Sequence, residues 1–194
     1  MLSYLLKHHK PDQGDTPHVD LLLRDGAMTT AILAFFASAW FGWAQERPPV
    51  SWKGRLIVGS VLSVAMAVTG GLLAWLNWGT GSVLNGDAAF RTYLIIVGIE
   101  FCVAALGSVA LVVARRTEYF APWICLVVGV HFYPMAPVLE NAGLYVLATV
   151  LTAGALLAIP LARRRSLTVS AVTGAAAGTA LLLFAAWTAV TLAL

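Results

Sequence analysis

Six long apolar runs, separated by short polar punctuation, dominate the pattern of this chain. They fall at Ala27–Ala44, Leu56–Leu76, Tyr93–Ala114, Ala121–Leu139, Gly143–Ala162 and Leu167–Leu194. A hydrocarbon core about 30 Å thick takes roughly 20 residues of helix to cross, so each run is long enough to span a membrane. The breaks ERPPVSWKGR, RRTEY, ENAG and RRRS combine charge with turn residues that lipid does not tolerate. NWGTGSVLNGDAAFR is the one long connection, and its glycines, asparagines and aromatics suit the membrane interface. The pattern predicts an all-α polytopic membrane protein, a bundle of six transmembrane helices over residues 27–194 behind a polar or interfacial tail, residues 1–26.

Composition agrees. The 194 residues are 60% hydrophobic and 11% charged, with a mean hydropathy of +0.84, far above a soluble domain. The start, MLSYLLKHHK, has too short an apolar stretch for a signal peptide, so it is expected to be retained. Leu2, Leu5 and Leu6 would suit a short interfacial helix, although a partly ordered tail is the simpler expectation. His8, His9 and His18 in that tail do not form a specific metal motif. Cys102 and Cys125 fall in spans at different expected depths and predict no disulfide.

The 12 basic residues are distributed unevenly. Arg47, Lys53, Arg55, Arg115, Arg116 and Arg163–Arg165 gather on one side, and Lys7, Lys10, Arg24 and Arg91 on the other. The positive-inside rule makes the first side cytoplasmic and, with six spans, both termini extracytoplasmic. The arginines are expected to fix topology first, with anionic head groups as a secondary role. Tryptophans 43, 52, 75, 78, 123 and 187 lie toward span ends, as an interfacial belt would place them, whereas Trp40 lies deeper.

Candidate chemistry centres on two ionisable residues well inside the spans, Glu100 and His131. A charge there costs from about 2.5 to 10 kcal/mol or more, so such groups normally face the bundle interior and find partners. RRTEY is short enough to make the third and fourth spans antiparallel neighbours, and helical rise puts the two residues at comparable depth. Ala104 and Gly107 keep the glutamate's face small, which admits a close neighbour. Pro134 has no N–H for the carbonyl of Val130, and Pro137 has none for that of Tyr133. The expected site is therefore Glu100, His131, Tyr133, Val130 and Pro134, as a solute, ion or proton site in a cavity. A neutral Glu–His hydrogen bond serving structure alone is the competing expectation. The hydroxyls of Thr29, Thr30, Ser60, Ser63, Thr69, Tyr145, Thr149 and Thr152 more often bond their own helices.

No phosphate loop, CxxC pair or HExxH is present, a lone His131 does not supply paired haem ligands, and no metal, cofactor or nucleic-acid partner is expected. Catalysis is a minority expectation; an enzyme acting on lipid would use Glu100 and His131 as base and acid. Gly174 and Gly178 form a GxxxG face for close packing, either within the monomer or in a homo-oligomer. Gly70 and Gly71 mark a close approach or a bend. No inverted repeat relates the first three spans to the last three.

GVHFYPMA, residues 129–136, resembles a G-x-H-F-x-P-x-A pattern of small six-helix bacterial membrane proteins. The resemblance implies that His131, Phe132 and Pro134 are the focal point of such proteins and brings no activity or substrate. Three functions follow as expectations: a transporter, channel or solute-binding membrane protein with proton coupling; an accessory or assembly protein with a structural Glu–His pair; and a lipid-modifying enzyme.

Overall fold

The computed structural model describes residues 16–193, of which residues 23–192 have described side chains. The tail features at residues 1–15, including Leu2, Leu5, Leu6, His8 and His9, lie outside the described residues. The chain is all-helical among the described residues and forms six long helices: α1 Thr16–Ala44, α2 Lys53–Leu76, α3 Asp87–Val113, α4 Phe120–Val138, α5 Gly143–Arg165 and α6 Val169–Ala193. Single 3₁₀ turns at Val50–Trp52 and Thr117–Tyr119 lead into α2 and α4. All six helices are long and apolar enough to cross a membrane.

The boundaries differ from the hydropathy pattern mainly at helix starts. Helix α1 begins at Thr16 and α3 at Asp87. Polar residues in a helix's opening turns lower the local hydropathy without breaking the helix, because those turns lie where water is available.

The helices pack in the order α2, α1, α6, then α5 and α4, with α3 outermost against α4; α4 also meets α6. Helices α2 and α3 are consecutive in the chain but share no packed interface. The connection between them is therefore long, and α1 ties it down. Arg24 stacks over the Trp78 ring at 4.2 Å and donates to the carbonyls of Trp78 and Thr80. Asp25 accepts from the Val83 N–H at 2.8 Å.

Without a strong hydrophobic drive between helices in lipid, close packing depends on small residues that let backbones meet. A Cβ on Gly70 would lie 2.9 Å from the Ala27 carbonyl oxygen and from Ala31 N, so α2 crosses α1 there. On Gly174 it would lie 2.6 Å from the Trp40 carbonyl oxygen, where α6 crosses α1; on Gly129, 2.7 Å from Thr152 N, where α4 crosses α5. Of the two readings open for the GxxxG face, packing within the chain is the one observed. Gly174 meets the α1 backbone and Gly178 meets the Phe41 ring. Gly71 meets nothing within 4 Å.

The core runs through α1, α4, α5 and α6 around Trp40, Phe41, Phe132, Leu144, Leu151 and Leu181. Trp40 is buried and stacks on Trp43 at 5.3 Å. Trp75, Trp78 and Trp187 are exposed, as an interfacial belt requires. Trp123 has a different role: it is a packing wedge between α3 and α4.

Candidate functional site at the α3–α4 seam

Helix α3 has no fully buried residue. Its less exposed positions, Ala89, Tyr93, Ile96, Val97, Glu100, Ala104, Gly107, Ser108 and Leu111, recur every three or four residues and so form one helical stripe. Glu100 is midway along that stripe, 13 residues from either end of the helix, which is about 20 Å at helical rise. This is deeper than the sequence pattern suggests, because α3 begins two turns before the apolar run.

Trp123 sets the register of the seam. Its indole Nε1–H donates to the Ala104 carbonyl at 3.2 Å, and its ring lies over Gly107, where no Cβ would fit. His131 follows eight residues on along α4, a little over two turns, and Glu100 lies seven residues back from Gly107 on the antiparallel α3, close to two turns. The two side chains accordingly meet, with His131 Nδ1 and Glu100 Oε1 3.4 Å apart. Both are largely but not fully enclosed, with side-chain exposures of 13% and 17%.

The imidazole is held by its own helix. Nδ1 lies 2.7 Å from the Val128 carbonyl oxygen, which can only accept, so Nδ1 carries a hydrogen. Nε2 is then the ring atom that gains or loses a proton. At 3.4 Å the Glu100 oxygen is beyond a short charge-assisted hydrogen bond, which spans about 2.7–2.9 Å. The ring also lies against Phe132, centroid to centroid 4.2 Å, and Phe132 is buried in the core.

The other expected site residues lie elsewhere on α4. Val130 is 50% exposed, Tyr133 is 39% exposed and Pro134 is exposed, whereas the core-facing positions are Phe132, Met135 and Ala136. Pro134 and Pro137 sit inside a continuous helix. Both prolines are exposed, and neither supplies an N–H to the carbonyl one turn back. Tyr133 belongs to a second polar group on α5. Thr149 gives its one hydroxyl hydrogen to the Tyr145 carbonyl at 2.8 Å, so the Tyr133 phenol donates to Thr149 Oγ1 at 3.0 Å.

Two grooves between helices lie away from the pair. One of about 450 Å³ is lined by Ala27, Thr30, Leu62, Met66, Gly70 and Leu192. The other, about 220 Å³, is lined by Leu111, Tyr119, Pro122, Trp123, Leu156 and Ile159. Neither includes Glu100 or His131. Among the described residues no group of three His, Cys, Asp or Glu is placed to hold a metal ion. The cysteines are free, Cys102 exposed and Cys125 buried with its thiol 3.5 Å from the Leu151 carbonyl.

Two features of the pair escape the sequence pattern. The Val128 carbonyl as ring partner depends on the histidine rotamer, for which local sequence gives no signal. Trp123 as the register wedge is foreshadowed by the small Ala104 and Gly107 but reads as a belt residue by position. No family model, curated protein or solved structure matches this chain.

Proposed function

We propose that this chain is a small transporter or channel of the bacterial cytoplasmic membrane that uses the Glu100–His131 pair to handle protons. Its arginine-rich end would face the cytoplasm. The observation that carries this reading is the 3.4 Å approach of a carboxyl and an imidazole at mid-helix depth in α3. Ionisable groups placed there are costly and usually mark ion or proton pathways. A proton taken up at Nε2, with the Nδ1 hydrogen passed to a Glu100 carboxylate, leaves a neutral ring and a neutral acid. That transfer needs the two helices to close by about half an ångström, to short hydrogen-bond distance. Helix α3 is suited to such a movement, because its main packing partner is α4.

Proton-driven fluorescence change in liposomes tests the reading. Glu100→Gln and His131→Ala should each reduce flux at least tenfold, with Glu100→Asp retaining part of it. Interhelical hydrogen bonds in membranes are worth about 0.6 kcal/mol on average and about 1.7 at most. A tenfold change is roughly 1.4 kcal/mol, so flux lost without a matching loss of melting temperature separates function from packing.

A second reading has its own support, since both grooves lie away from the pair. In it, Glu100 and His131 clamp α3 to α4 in an accessory protein. Earlier melting of the Glu100 and His131 variants, together with no proton flux in the wild-type protein, would select this reading.

A further inference from the structure

The groove between α3, α4 and α5 lies at the arginine-rich end of the bundle. Its walls are apolar: Leu111 from α3, Pro122, Trp123 and Leu126 from α4, and Leu156 and Ile159 from α5. Tyr119, in the 3₁₀ turn before α4, also lines it. Arg163 lies one turn beyond Ile159 on the same face of α5, and its Nη2 donates to the Tyr119 hydroxyl oxygen at 2.6 Å. The phenol oxygen accepts that bond, so its own O–H is left to donate outward. A positioned guanidinium and a free phenolic hydrogen thus meet at the mouth of a narrow apolar groove.

Charge at this end is one-sided. Arg115, Arg116, Arg163, Arg164 and Arg165 end α3 and α5 or follow them, and Glu118, the acid of that turn, is paired with Arg116 at 3.6 Å. The groove itself runs between α3 and α5, two helices without a packed interface of their own.

We propose that this groove binds one anionic glycerophospholipid. Its phosphate accepts from Arg163 and from the Tyr119 hydroxyl, and an acyl chain lies along Leu111, Trp123, Leu156 and Ile159. The charge at the mouth selects an anionic head group over a zwitterionic one, and the apolar walls select a lipid over a soluble anion. A chain seated there fills the gap between α3 and α5, so it also steadies the outermost helix.

The test is lipid retention by the full chain, read by native mass spectrometry after purification from nanodiscs containing phosphatidylglycerol and phosphatidylcholine. Wild-type protein should retain one phosphatidylglycerol in preference to phosphatidylcholine. Arg163→Gln should weaken that retention about fivefold, as expected for loss of one basic residue near a lipid surface, and Arg163→Lys should restore most of it. Leu156 is 59% exposed, so Leu156→Trp adds bulk to the groove wall without entering the core, and it too should expel the lipid. Tyr119→Phe should weaken phosphatidylglycerol and leave phosphatidylcholine unchanged. Equal retention of both lipids by wild type, or unchanged retention in Arg163→Gln, overturns the proposal. Loss in Arg163→Gln with none in Leu156→Trp also overturns it, because the arginines would then attract lipid without the groove.

Discussion

At the residue scale, the informative feature of the seam is which atom of His131 is committed. The Val128 carbonyl takes the Nδ1 hydrogen and fixes the tautomer, leaving one ring nitrogen for proton exchange. Glu100 meets the committed nitrogen. A relay through this pair therefore requires Nδ1 to exchange one acceptor for another, which is a stricter geometry than two groups merely being close. Other residues carry backbone strain. Arg115, Glu140 and Ser166 have φ of 56°, 49° and 52°, each just after a helix, where glycine is usual. In each case the following N–H reaches back five residues, as Asn141 does to the Ala136 carbonyl at 3.0 Å. Glu140 is exposed, so Glu140→Gly removes side-chain strain without removing core packing. It should raise stability by up to about 1 kcal/mol, seen as a melting temperature higher by about 2–4 °C in detergent.

At the element scale, helices approach where a side chain is missing. Gly174 is opposed by α1 backbone, which cannot rotate away as a side chain does. Gly174→Ala should cost about 1–3 kcal/mol through overpacking, whereas Gly154→Ala, with nothing within 4 Å, should be neutral or stabilising. Thermal unfolding of the two variants in the same detergent compares them directly; equal melting temperatures would contradict a close α1–α6 crossing. Helix α3 shows the opposite case. It makes its main contact with α4 through Trp123 and the Glu100–His131 pair, and it has no fully buried residue. Its apolar outer face, including Ile95, Ile99, Leu106 and Val109, is exposed, as a lipid-facing helix should be.

At the scale of the whole molecule, six antiparallel helices put the start of α1 and the end of α6 at one end of the bundle and the arginine clusters at the other. The positive-inside rule then predicts the labelling of single-cysteine additions by a membrane-impermeant maleimide applied from outside. Asp87→Cys, at the start of α3, should react in intact cells, and Thr117→Cys, between α3 and α4, only after the membrane is opened. The reverse pattern would invert the orientation.

Much of this was legible along the chain. Membrane-length apolar runs admit few structures, because backbone polar groups in lipid must bond within their own segment. The runs thus determined six helices, their tight hairpins and the rarity of charge within them. Depth matching along antiparallel neighbours likewise brought Glu100 and His131 to one level, since helical rise is constant.

What tertiary structure decided is which face of each helix looks inward. Sequence adjacency suggested that Val130, Tyr133 and Pro134 share the histidine's site, but residues one or two apart on a helix point in different directions, and Val130 and Tyr133 are exposed where His131 is largely enclosed. The positions of α3 outside α4, of Arg163 against Tyr119 and of Arg24 over the Trp78 loop depend on contacts between segments far apart in the chain. Hydropathy is nearly uniform around a lipid-embedded helix, so it does not single out the inward face. That face is selected by steric fit at Gly70, Gly107, Gly129 and Gly174, a property of two helices together and not of either alone.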